Sequence, residues 1–149
     1  MRVDVAVSAD IPSLCELLES LFIQEAEFSF DKEVQVRGLK AIIENNDVGD
    51  ILVVRDGDKV IAMVNLLYTV STALGARVGI LEDMIVSDAN RGLGVGSQLL
   101  EKALDVAREK GCKRITLLTD HDNEGAHRFY ERHGFSLSTM VVFRQLLSD

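Results

Sequence analysis

The stretch Arg91-Gly92-Leu93-Gly94-Val95-Gly96 stands between an apolar run, Ile80 to Val86, and an amphipathic one, Val95 to Glu109. A glycine-rich turn thus leads out of a strand and opens a helix, and a further apolar segment, Arg114 to Thr119, completes a βαβ unit. Its two strands must be parallel and are joined by a right-handed crossover. The loop after Val86 and the loop after Thr119 therefore emerge at the same edge of the sheet.

The first turn of a helix carries N–H groups with no partner inside the helix and about half a positive charge, which suits an anion. Gly92, Gly94 and Gly96 permit backbone angles and close approaches that a side chain would block, and Arg91 adds a forked, permanent cation. A tight connection with no ligand fits the same pattern. A nucleoside triphosphate loop would need Lys followed by Ser or Thr at its end, whereas Gly96 is followed by Ser97-Gln98. A dinucleotide fingerprint would place its third glycine where Ser97 stands, although Asp120 lies near the end of the next strand, where a ribose-binding acid belongs.

Downstream, Asn123, Ala126, Phe129-Tyr130-Glu131 and Gly134-Phe135 follow in order. Together with Arg91, Gly94 and Gly96, these spacings resemble the two cofactor motifs of the GNAT family of acyl-CoA-dependent N-acyltransferases. The resemblance is strongest from Leu81 to Phe135. It implies a mixed α/β sheet with helices on both faces, acetyl-CoA as cofactor, and direct transfer of an acetyl group to a primary amine of a small cationic molecule or a protein. A catalytically inactive acyl-CoA sensor or interaction module is the alternative.

Each chemical requirement of that transfer has a candidate residue. An amine of pKa near 10.4 is neutral at pH 7 in only about one molecule in a thousand, so a carboxylate must take its proton as attack proceeds. Glu82 and Asp83 are the candidates. Successive strand residues face opposite sides, so only one looks into the cleft unless the strand bulges. Leu81-Glu82-Asp83-Met84-Ile85-Val86 is similar to the polyamine-acetylating branch of the family, which implies Glu82 as the base. A strand carboxylate facing solvent or paired with a neighbouring cation accounts for Glu82 equally simply.

The resemblance also implies a bulge that frees the backbone of Met84, Ile85 and Val86 for the cofactor's pantetheine arm. It implies that Arg91, Gly92, Leu93, Gly94, Val95, Gly96 and Ser97 hold the diphosphate. Tyr130 is implied as the acid that protonates the departing thiolate, with Phe129 and Asn123 beside the cofactor. By spacing alone Tyr130 is a core aromatic, and Asn123 caps the helix it precedes, binds the cofactor, or does both. The acceptor side is implied to include Glu25, Glu27, Phe28 and Asp83, and the loop region Tyr68 to Ala76. A solvated acidic face explains the same charge.

At 149 residues and 47% hydrophobic, the chain suits a single domain spanning residues 1–149, with one core. Its net charge of −8 argues against nucleic acid and favours cationic partners. Cys15 and Cys112 are too few for a disulfide framework, and no metal-ligand spacing occurs, so no metal is expected. No apolar stretch reaches membrane-span length and Met1-Arg2-Val3-Asp4 lacks a signal-peptide centre, so the expectation is a cytoplasmic protein that does not engage membranes.

The remaining periodicities order the elements. Val3, Val5 and Val7 alternate as in an edge strand. A helix to about Phe22 turns Ile11, Leu14, Cys15, Leu18, Leu21 and Phe22 inward. A second, Glu33 to Glu44, is expected to bury Val34, Leu39, Ile42 and Ile43. Strands Asp50 to Arg55 and Val60 to Val70 flank Asp56-Gly57-Asp58-Lys59, a hairpin turn. A helix from Glu124 to Arg132 and an apolar strand pair within Ser136 to Leu147 close the chain. Relatives in the family pair through such C-terminal strands, which implies a homodimer.

Overall fold

The computed structural model describes residues 1–24 and 29–148. They fall into two compact units, Met1–Leu118 and Thr119–Asp149. The first contains strands β1 (Arg2–Val5), β2 (Gly49–Asp56), β3 (Lys59–Ser71), β4 (Ala76–Val86) and β5 (Ile115–Leu117), and helices α1 (Ile11–Gln24), α2 (Lys32–Ile43) and α3 (Val95–Glu109). The second contains helix α4 (Glu124–Arg132).

The five strands form one sheet in the order β1-β2-β3-β4-β5. Neighbours are antiparallel except β4 and β5, which the α3 crossover makes parallel. Ile51, Leu52, Val53 and Val54 are at most 1% exposed, so β2 is covered on both faces. One face carries α1 and α2: Ile11, Leu14, Cys15, Leu17, Leu18 and Leu39 join Ile51, Val53, Met63 and Ile85 in one cluster. Strand alternation turns Leu52 and Val54 to the other face, where α3 packs with Val95, Leu99, Leu100, Ala103 and Ala107 buried. A mixed sheet with helices on both faces is therefore the architecture. No described helix is long and apolar enough to cross a membrane.

The β2–β3 hairpin turns at Gly57, whose φ of 62° is the positive value that the first central position of such a turn requires. Gly49 answers a different constraint: a Cβ there would sit 2.5 Å from the carbonyl oxygen of Leu66 on the neighbouring strand. Backbone cannot swing aside as a side-chain tip can. Gly49→Ala is therefore expected to cost about 1–3 kcal/mol of stability, read from urea unfolding.

A buried ion pair clamps the segment between β1 and α1 onto the sheet. Arg55 on β2 donates through Nη1 and Nη2 to both carboxylate oxygens of Asp10, at 2.8 and 2.7 Å, and through Nε to Asp4 at 2.9 Å. Asp10 also accepts from the backbone N–H of Val7 at 2.8 Å. Truncating Arg55 would leave the buried Asp10 carboxylate without its cation, so Arg55→Ala should lose roughly 3–5 kcal/mol at pH 7 in the same unfolding assay. The Arg55 guanidinium holds the Asp10 carboxyl below its ordinary 3.8. The stabilisation is thus complete above about pH 4 and disappears as pH falls through the lowered value, so acid should narrow the gap between wild type and variant.

Three expectations need correction. Val34 is 43% exposed, and α2 instead packs Val36 with Leu39, Ile42 and Ile43, because the helix's inward stripe is rotated from the one the apolar spacing suggests. The strand expected from Arg114 to Thr119 is confined to Ile115–Leu117, the residues that pair with β4. Among the described residues of 136–148 no strand forms, and Leu137, Phe143 and Leu147 are exposed. An apolar run becomes a strand only where a neighbour completes its hydrogen-bond ladder.

Candidate functional site

The break in β4 is the centre of the first unit's site. Met63 of β3 pairs with Ile85 and Asn65 pairs with Glu82, so Val64 alone faces both Asp83 and Met84. That two-against-one arrangement is a β-bulge. Asp83 absorbs it with a φ of 55°, and it is the only non-glycine with positive φ among the described residues. Left-handed backbone is disfavoured for L-residues, though Asp tolerates it better than most. On the other edge, β5 pairs only with Gly79, Ile80 and Leu81. Glu82 and everything beyond it on β4 therefore lie past the end of that pairing.

The bulge breaks the alternation that would have sent Glu82 and Asp83 to opposite faces. Glu82 is exposed, whereas Asp83 is half-buried and accepts a hydrogen bond from Nδ2 of Asn65 at 2.7 Å. Asn65 is 4% exposed on β3, and sequence reading passed over it. Its signal was available: one amide inside the apolar run Val60 to Val70, where a polar side chain must find a partner. Met84 and Val86 are half-buried, and Ile85 turns its side chain into the α1 cluster, so a ligand on this stretch would meet backbone more than side chain.

Val86 leads through a short turn, Asp88–Asn90, into the glycine loop. Gly92 and Gly94 have φ of 79° and 78°, and Gly94 is the residue that caps α3. The first helical bond runs from Gln98 N–H to the Gly94 carbonyl at 3.2 Å, so the N–H groups of Val95 and Gly96 lie ahead of the α3 hydrogen-bond ladder. Arg91, Gly92, Leu93 and Gly94 are exposed, and a Cβ on Gly92 or Gly94 would meet no atom within 4 Å. The space over the loop is open, which fits an incoming diphosphate. Arg91 folds back, its Nε donating to the Val86 carbonyl at 3.3 Å and its Nη2 lying 3.1 Å from Asp88. One cation therefore links the end of the broken strand to the loop.

The second unit gathers the other motif. The Asn123 side chain accepts from the N–H of Ala126 at 3.1 Å and so caps α4, leaving its amide N–H₂ as the group available to a ligand. Gly134, with φ of 89°, ends the helix: Phe135 N–H bonds the Tyr130 carbonyl and Gly134 N–H that of Glu131, both at 3.1 Å. That closure brings Phe135 edge-on to Tyr130, with ring centroids 5.7 Å apart, and the Phe129 ring stands 5.2 Å from Tyr130. The spacing Phe129-Tyr130…Gly134-Phe135 is thus a capping motif. Burial pushes the Tyr130 hydroxyl up from its ordinary value of 10, so it is fully protonated at neutral pH.

Of the acceptor-side candidates, Asp83 lies in the bulge, and Glu25, Glu27 and Phe28 lie outside the described residues. Tyr68 is tied into the sheet: its hydroxyl donates to Asp50 at 2.5 Å and Arg77 lies 4.9 Å over its ring. Desolvation and the Asp50 carboxylate drive its pKa far upward. Cys15 and Cys112 are free thiols, raised by burial.

Comparison with known proteins agrees with this arrangement. The model of the acetyltransferase (GNAT) family matches residues 11–135. An uncharacterized N-acetyltransferase of Bacillus subtilis, YhfO, is 34% identical over 125 residues, 82% of this chain and 83% of that one. The aminoalkylphosphonate N-acetyltransferase of Salmonella typhimurium is 29% identical over 133 residues, covering 89% of this chain and 83% of the relative. The crystal structure of a transcriptional regulator from Bacillus halodurans C-125 superposes with a TM-score of 0.86 at 27% identity, over 97% of this chain and 99% of that one. With the bulged strand, the glycine loop and the Asn123 to Phe135 motif all inside the matched span, the chain belongs to the acetyltransferase (GNAT) family and is an N-acetyltransferase.

Proposed function

We propose that this enzyme binds acetyl-CoA along the broken end of β4 and the glycine loop, and transfers the acetyl group directly to the primary amine of a small cationic molecule or of a protein. The observation that carries the reading is the succession of the Asp83 bulge and the positive-φ glycines at the start of α3. When bound, acetyl-CoA supplies an activated thioester. The N–H groups of Gly94, Val95, Gly96 and Ser97, with Arg91, Gly92 and Leu93, hold its diphosphate. The backbone of Met84, Ile85 and Val86 orients the pantetheine arm, and the Asn123 amide and Phe129 are assigned to cofactor binding as well.

Glu82 takes the proton from the attacking amine, directly or through water. Its exposed position on β4, past the end of the β5 pairing, supports this role. Tyr130, protonated at neutral pH, gives a proton to the departing thiolate, whose pKa near 8.5 makes that help useful without making it indispensable. Glu25, Glu27, Phe28 and Asp83 recognise the acceptor. The acidic charge of the chain supports a cationic acceptor, and the name of the Salmonella relative supports a small amine. A cytoplasmic homodimer completes the reading.

Thiol release from acetyl-CoA tests it across a panel of polyamines, aminoalkylphosphonates, aminoglycosides and amino-terminal peptides. Turnover that is saturable in one amine class is expected. Saturable binding of coenzyme A with no thiol release from any amine would instead identify an acyl-CoA-binding sensor.

A further inference from the structure

We propose that Asn65 is a positioning residue for the cofactor: its amide grips Asp83 and thereby holds open the strand break from which the Met84, Ile85 and Val86 backbone meets coenzyme A. The inference rests on the cofactor reading above and adds a residue to it.

Four observations converge. Asn65 is 4% exposed in the middle of β3. Its Nδ2 donates to Asp83 Oδ2 at 2.7 Å. Asp83 carries the only positive φ outside glycine among the described residues, at the residue where the β3–β4 register slips. Finally, Asn65 Oδ1 is buried and finds no hydrogen-bond partner among the described residues. The amide cannot gain by turning over, because a carboxylate only accepts, so Nδ2 must face Asp83 and Oδ1 must face away.

An unsatisfied buried acceptor works against folding. A leucine of similar size would avoid that penalty on this apolar strand. What leucine could not do is hold the Asp83 side chain and, through it, support a backbone conformation that is disfavoured for Asp. If Asp83 relaxed to an extended backbone, Val64 could no longer face two residues, and the register that pairs Ile85 with Met63 and Val86 with Ala62 would slip. The orientation of the Met84, Ile85 and Val86 edge, which β5 leaves unpaired, would be lost with it. Asn65 thus reaches the cofactor only through Asp83.

The test measures coenzyme A affinity by calorimetry and thermal midpoint side by side, with no amine present. Asn65→Leu should keep or raise the thermal midpoint while weakening coenzyme A by about tenfold, the size of effect expected when a left-handed residue loses its support. Asp83→Gly placed in the same chain should restore the affinity, since glycine adopts positive φ without a restraint. Should Asn65→Leu fail to fold, Asp83→Ala reads the same device, because it keeps the left-handed demand and drops the acceptor; it too should weaken coenzyme A about tenfold. Wild-type affinity in Asn65→Leu, or in Asp83→Ala if that variant stands in for it, would overturn the inference. So would a double variant no better than Asn65→Leu, and either result leaves the cofactor reading standing. Absence of coenzyme A binding by the wild type would overturn both.

Discussion

Glu82→Gln should slow acetyl transfer at pH 7 by about a hundredfold or more while leaving coenzyme A affinity within about twofold of wild type. Glutamine keeps the shape of the side chain and removes only its ability to take a proton. For an amine of pKa near 10.4, attack at pH 7 begins from a form disfavoured by about 4 kcal/mol. That penalty shrinks as the medium itself supplies free base. The defect of Glu82→Gln should therefore narrow as pH rises toward 9, with the variant's rate climbing about tenfold per unit. A constant ratio between the two enzymes across that range would show that Glu82 does not handle the amine's proton. Tyr130→Phe gives an independent reading on the leaving-group side, with a loss of about a hundredfold expected if its hydroxyl protonates the thiolate.

The second large effect belongs to the glycine loop. Gly94 caps α3 at a φ of 78°, a conformation that a β-branched side chain resists strongly. Gly94→Val should rotate the cap, misdirect the N–H groups of Val95 and Gly96, and put methyl groups into the open space where a diphosphate would lie. Coenzyme A affinity is expected to fall by about a hundredfold or more. Arg91 to Gly94 are exposed, so the thermal midpoint should move less than affinity does. A variant that unfolds yet binds normally when folded would remove the loop from the cofactor site.

Helix α3 was legible because its apolar stripe repeats at helical spacing and Gly111, with φ of 84°, closes it just past the last turn. The β2–β3 hairpin was legible through Asp-Gly, and the parallel β4–β5 pair through the crossover between them. Local chemistry decides each of these. Non-local partners decided the features that sequence missed. Nothing in Glu82-Asp83-Met84 states that Asp83 adopts positive φ, since the bulge exists only against Val64 on another strand. Arg55 reads as an ordinary strand-end cation until the fold brings Asp10 and Asp4 beside it. The apolar residues after Ser136 looked like strands on composition, although composition supplies no neighbour to pair with.

The candidate site divides along the same line. The glycine loop and the Asn123 to Phe135 motif are contiguous, so their spacing survives in sequence. The capping roles that the structure adds, Asn123 at one end of α4 and Gly134 at the other, follow from the residue types alone. The support for the β4 break could not be read that way. Asn65 precedes Asp83 by 18 positions and belongs to a different strand.

Titration of the ¹⁵N-labelled protein with coenzyme A tests most directly whether the broken strand and the glycine loop bind the cofactor together. Saturable shifts at the amides of Gly92, Gly94, Val95, Gly96 and Ser97, accompanied by shifts at Met84, Ile85 and Val86, are the expected result. Unmoved amides in both groups at millimolar coenzyme A would contradict it.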